Sequence, residues 1–154
     1  MNSLELGLFE VSHFFLTPVL FLIAASLAYA FTVLGMFLME ALQRWRGNHR
    51  SVLGSGVAHS DDLELEVMKR LEWLRIVSRT APMLGLVATM IPMGPALLAL
   101  GKGDAATVGE NLVVAFSAVI LALVAASITF FILTIRRRWL LEELRRMERA
   151  GGLA

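Results

Sequence analysis

Three long apolar runs, separated by stretches that gather nearly all the charge, set the first expectation for this chain. Phe14 to Met39, Ala81 to Leu100 and Asn111 to Ile135 contain no Asp, Glu, His, Lys or Arg. Each reaches the roughly 20 helical residues that cross a hydrocarbon core of about 30 Å. Inside a bilayer the backbone must satisfy its own hydrogen bonds, which a helix does within each segment. The pattern therefore predicts an all-α integral membrane protein with three transmembrane helices. Between the first two runs, Gly47 to Ser60 is rich in turn residues and reads as a flexible connection. Beyond it, Asp61 and Glu64 stand at capping-box spacing, and Leu63, Val67, Leu71, Leu74 and Val77 recur at three and four residues. That helix runs into the second span with only Pro82 in the way. The third span likewise continues through Arg138, Glu142 and Arg146 at four-residue spacing. The second and third helices are thus expected to extend into the cytoplasm. The segments expected are an outer-face N-terminal stretch 1–13, transmembrane helix 14–39, cytoplasmic loop and helix 40–80, transmembrane helix 81–100, outer hairpin 101–110, transmembrane helix 111–135 and a cytoplasmic helix and tail 136–154.

Composition agrees. Hydrophobic residues make up 57% of the 154 and charged residues 18%, with a mean hydropathy of +0.71, where soluble domains carry about 25% charged residues. The first run is too long for a signal-peptide core, and Glu5 and Glu10 stand where a basic leader would be. It reads as a retained membrane helix whose N-terminal flank either lies along the outer membrane face or frays. Orientation follows from the basic residues: thirteen of the fourteen fall in 40–79 and 136–149, and the other is Lys102. Basic residues near span ends stay in the cytoplasm, so the N-terminus is expected outside and the C-terminus inside a cytoplasmic (inner) membrane. A net charge of +1 gives no argument for nucleic acid. The absence of cysteine excludes disulfide and thiolate chemistry.

Chemistry is sparse within the spans. Small residues recur on one face of the second span (Ala81, Gly85, Ala88, Pro92, Ala96, Ala99) and of the third (Ala115, Ala118, Ala122, Ala125, Thr129). Such faces let membrane helices approach closely, either within one chain or between copies around an axis. Pro92 and Pro95 each free a backbone carbonyl, predicting a kink that is either simply tolerated or a hinge on a conduction path. Thr89 is the only hydroxyl of span two, and Ser117 the only one in the outer half of span three. Each by itself reads as bonded to its own helix. No Asp, Glu or His lies within the spans, so the chain by itself has no buried proton carrier. His49 and His59 read as loop residues rather than metal ligands. No phosphate loop and no nucleophile with a base partner can be placed, so neither an enzyme nor a cofactor is expected.

The run RTAPMLGLVATMIPMGPALLAL, Arg79 to Leu100, resembles the second-helix signature of the MotA/TolQ/ExbB proton channel family, in which a Pro precedes LGLxGTxxxM. The segment from Val108 to Arg138 is similar to the family's last helix, which begins with a Glu, carries small and hydroxyl residues and ends in basic ones. The resemblance covers roughly residues 63–148. It implies a pentamer whose second and third helices line a pore occupied by single membrane helices of a dimeric partner bearing an Asp. Protonation and release of that Asp would couple ion flow to mechanical work, and would supply the carboxylate this chain lacks. Thr89 falls on the family Thr facing the partner's Asp, and Glu110 on the acidic residue at the outer entrance. The family's last-helix Thr falls on Ala115 by ungapped counting from Glu110, or on Ser117, which restores a hydroxyl and is preferred. The family's Gly before the Thr is Ala88 here, and the IPMGP sequence suggests a separate branch.

The reading is a pentameric inner-membrane subunit of a proton-driven motor, channel or protein-transport complex with a single-span, carboxylate-bearing partner. The alternatives are a non-conducting scaffold, which would have no neighbouring reading frame for such a partner, and a small transporter, which would show polar groups gathered at mid-membrane. The orientation has a direct test. In intact cells Gly103→Cys is expected to react with an impermeant thiol reagent, and Ser55→Cys and Gly152→Cys to be shielded; the inverse labelling would overturn the topology.

Overall fold

The computed structural model describes residues 3–46 and 60–151. These form α1 (Ser3–Trp45), α2 (Ser60–Gly101) and α3 (Ala105–Gly151), and no strand occurs among the described residues. All three helices are long and apolar enough to cross a membrane. Of the connection expected from Gly47 to Ser60, residues 47–59 lie outside the described residues, as do His49, His59 and the residues after Gly151, while Ser60 opens α2. At 1.5 Å per residue, α2 and α3 run about 63 and 70 Å, roughly twice the hydrocarbon thickness.

The small residues decide how these helices meet. On α2, Ala81, Ala88, Ala96 and Ala99 are buried, and on α3 so are Ala115, Ala118, Ala122, Ala125 and Thr129. At Gly85 the backbones come so close that an added Cβ would lie 2.9 Å from the Ala122 Cβ and 3.5 Å from the Val119 Cα. Both smooth faces are thus used inside one chain, to close an antiparallel α2/α3 hairpin, and by themselves they give no reason for copies to associate. Thr129 is fully buried in this seam, its hydroxyl donating to the carbonyls of Ala125 at 2.8 Å and Ala126 at 3.1 Å.

Helix α1 lies across the hairpin in three layers. Val19 and Ile23 pack with Ala88, Ala118 and Ala122. Ala30 then meets Ala81, Ala125 and Ala126. Val33 and Phe37 join Leu71, Leu74, Ile132, Leu140 and Leu144. Where the small residues end, large ones take over the packing: Phe37 stacks on Trp139 at 5.3 Å and meets Phe131 edge-on at 6.3 Å. This order makes α1 parallel to α3 and antiparallel to α2, so both basic segments come to one end of the bundle. The N-terminal flank forms no separate helix; α1 is continuous from Ser3, and Phe9 stands 3.3 Å from where a Cβ on Gly94 would be.

The hairpin expected over 101–110 is much tighter, because α2 ends at Gly101 and α3 starts at Ala105. Gly103 adopts φ +75°, a conformation open to glycine without penalty. Its amide donates to Leu100 O at 3.1 Å and that of Asp104 to Ala99 O at 3.0 Å, which is the Schellman closure of a helix. Asp104 then caps α3. The Thr107 hydroxyl donates to its carboxylate at 2.6 Å and the Thr107 amide at 3.2 Å. Those bonds, the hydroxyl's first, hold the Asp104 carboxyl below the ordinary aspartate range. GKGDAAT carries both signals: a glycine just past a helix and an aspartate three residues before a threonine.

Gly85→Ala and Gly35→Ala are expected to part company. Nothing lies within 4 Å of a Cβ on Gly35, so alanine there adds helix propensity, up to about 1 kcal/mol. At Gly85 the methyl meets Ala122, and overpacking by about 1–3 kcal/mol opposes that gain. Unfolding in mixed micelles checks both; equal effects would mean the seam is looser than described.

Candidate ion path and the charged end

The antiparallel seam fixes the relative depth of the residues singled out from sequence. With Gly85 against Ala122 and Ala88 against Ala118, Thr89 and Ser117 stand at one level, about one residue apart along the axis. Thr89 is partly exposed and Ser117 exposed. A residue step of about 100° carries Thr89 forward off the seam from Ala88, and Ser117 backward off it from Ala118. In helices that run antiparallel, these two turns place the hydroxyls on opposite sides of the hairpin. One chain therefore brings them to one depth but not to one site.

Their bonding differs as well. Thr89 Oγ1 donates to Leu86 O at 2.7 Å, a carbonyl of its own helix, as Ser127 and Thr134 do to Leu123 and Phe130, both four residues back. Ser117 Oγ bonds to none of the described residues. Ala115, the other candidate for that position, is 3% exposed and buried in the seam, so it presents nothing to a path. Pro92 is buried and Pro95 half-buried on the packed side of α2, and the helix runs through both without interruption. Glu110 lies exposed in the second turn of α3, about 10 Å along the axis from Ser117. It is brought together with neither hydroxyl.

Two features at the charged end escape the reading of single segments. Arg136 donates to Glu40 Oε2 from Nη2 at 3.0 Å and from Nε at 3.3 Å. The pair joins the last part of α1 to the middle of α3, 96 residues apart, with side chains only 25% and 23% exposed. Its signal is the position of each partner: a carboxylate directly after the first apolar run, an arginine directly after the third. The second feature is a groove between α2 and α3 into which five arginines converge.

Taken together these features define a class: a three-helix integral membrane protein with a small-residue hairpin, no carboxylate, histidine or basic residue within its apolar runs and a strongly basic end. The MotA/TolQ/ExbB proton channel family matches the chain over residues 30–149, and the chain belongs to that family. It finds no match among curated proteins or among solved structures.

Arg136→Gln is expected to loosen the end of α1. Removing the guanidinium from beside a half-buried carboxylate costs about 1–3 kcal/mol, so amides of Phe37 to Ala41 should exchange hydrogen roughly fivefold faster or more, with those of Ala118 to Ala125 unchanged. Unaltered exchange in α1 would mean the pair contributes nothing there.

Proposed function

We propose that this proton channel-type protein is one subunit of a homopentameric complex in the cytoplasmic membrane, coupling proton flow to work through a single-span partner with an intramembrane aspartate. Family membership supports the class of activity. The observation that carries the finer reading is the pairing of two facts: the apolar runs hold no carboxylate, and the two exposed hydroxyls at one depth lie on opposite sides of the hairpin. A ring resolves the second fact. In a head-to-tail ring, one side of each subunit meets the opposite side of the next, so Thr89 of one copy and Ser117 of its neighbour reach a common lumen. The partner then supplies the proton carrier, and the hydroxyls hydrogen-bond it or the waters around it. An ionised carboxylate at mid-membrane is unfavourable by about 2.5–3.5 kcal/mol on insertion scales, so each donor that stabilises it eases proton release. Glu110 stands as an acidic group at the outer entrance, and Pro92 and Pro95 shape the wall behind Thr89. In this reading the N-terminus is outside and the basic end cytoplasmic, and the chain performs no catalysis and holds no cofactor.

The natural chain has no cysteine, so the ring has a clean test. Thr89→Cys with Ser117→Cys, treated with a short bifunctional thiol reagent in membranes, is expected to give a ladder of crosslinked chains ending at five. Crosslinks confined to single chains, or a ladder ending at two, would sink the ring. In the complex purified with its native partner and placed in liposomes, Thr89→Val and Ser117→Ala are each expected to lower proton flux severalfold with the oligomer intact. Undiminished flux in both would remove the hydroxyls from the path.

A further inference from the structure

At the basic end, α2 and α3 line a groove of about 980 Å³, at the upper end of the size of small-molecule sites. Arg75 and Arg79 reach it from α2, and Arg137, Arg138 and Arg145 from α3; helix α1 contributes nothing to its lining. One carboxylate, Glu142, is present and is paired with Arg138 at 2.9 Å, so four positive charges remain in excess. Part of the lining is of another kind. On α3 it turns apolar toward the bilayer, at Phe130 and Leu133, and Phe130 is 63% exposed. On α3 this change coincides with the end of the apolar run before Arg136, and the register of Ala81 on Ala125 and Ala126 sets Arg79 and Arg75 of α2 across the groove from the apolar stretch.

The geometry points to a binding site for an anionic phospholipid, its phosphate held by the arginines and the start of an acyl chain laid along Phe130 and Leu133. Orientation of the chain in the membrane requires only that basic residues be on one side. It does not require five to enter one groove from two helices, nor an apolar stretch of α3 to line that groove beside them. Basic pockets between membrane helices at the headgroup level are suited to such lipids, and guanidinium groups match phosphate oxygens in pairs. A free phosphate shares the headgroup chemistry but makes no use of the apolar wall. The site does not depend on ion conduction or on the size of the ring.

The test uses the full chain, stripped of lipid in a neutral detergent and titrated with dioleoyl phosphatidylglycerol or dioleoyl phosphatidylcholine, with bound molecules counted by native mass spectrometry. Phosphatidylglycerol is expected to bind at least about tenfold tighter. Near-surface basic residues contribute about 1 kcal/mol each toward anionic lipid, so the triple change Arg75→Gln, Arg79→Gln and Arg137→Gln should weaken binding about a hundredfold. Lysines at those positions should keep most of the affinity. Removing three charges elsewhere at the same end, with Arg46→Gln, Lys69→Gln and Arg149→Gln, should leave it unchanged. Circular dichroism confirms that each variant is helical; if the triple variant is not, Arg137→Gln alone should still weaken binding severalfold. Equal binding of the two lipids, equal losses in the groove and control variants, or displacement by millimolar inorganic phosphate would each overturn the site. So would a groove variant that changes subunit number while binding lipid normally, which would show the groove to be covered by another copy.

Discussion

The contact between Gly85 and Ala122 is the constraint on which the rest of the molecule depends. In a bilayer no hydrophobic effect draws apolar helices together, and what remains is the quality of their packing. That quality is set by how near two backbones can come, and here the limit is a single missing methyl. Once α2 and α3 close on this seam, their register is fixed. The depth of every residue on one helix then follows from the other, including the level shared by Thr89 and Ser117. The shallow, alanine-lined surface beside the seam also determines which residues of α1 can dock. Val19, Ile23 and Ala30 sit against alanines, and Phe37 enters only where leucines and isoleucine have replaced them.

Much of this was legible in the order of residues. Uninterrupted apolar runs dictate membrane helices because no other backbone arrangement closes its hydrogen bonds there. The recurrence of small residues at three and four positions marks a helix face, and the LGL, Thr and proline pattern marks the family. What such spacing does not contain is the identity of the surface opposite. The small faces read equally well as contacts within a chain or between chains, because the period belongs to one helix and the partner is chosen by three-dimensional closure. The same limit applies to the hydroxyls. Thr89 and Ser117 are separated from seam residues by one step each, but in opposite directions, and only the antiparallel closure turns those steps into opposite sides of the hairpin.

Long-range polar contacts were hidden for a related reason. Glu40 and Arg136 are each inconspicuous beside an apolar run, and their pairing becomes visible once α1 and α3 are seen to be parallel. The arginines of the groove look like ordinary markers of orientation when counted along the chain. Their convergence follows from the antiparallel hairpin, which sets Arg75 and Arg79 of α2 beside the stretch of α3 that leads into Arg137 and Arg138. The outer turn was legible in principle, since Gly103 and Asp104 carry standard closing and opening signals. The apolar run begins only at Asn111, whereas the helix that carries it starts at Ala105.

That turn has an evolutionary consequence. Asp104 donates its amide to close α2 and accepts from Thr107 to open α3, so no slack residue separates one helix from the next. Adding or deleting a residue between Gly101 and Ala105 would rotate α3 by about 100° about its axis and turn its alanine stripe away from α2. Length at this position is therefore expected to be held fixed among relatives even where the identity of surface residues drifts. The phase of the whole hairpin is written into a link too short to absorb an error.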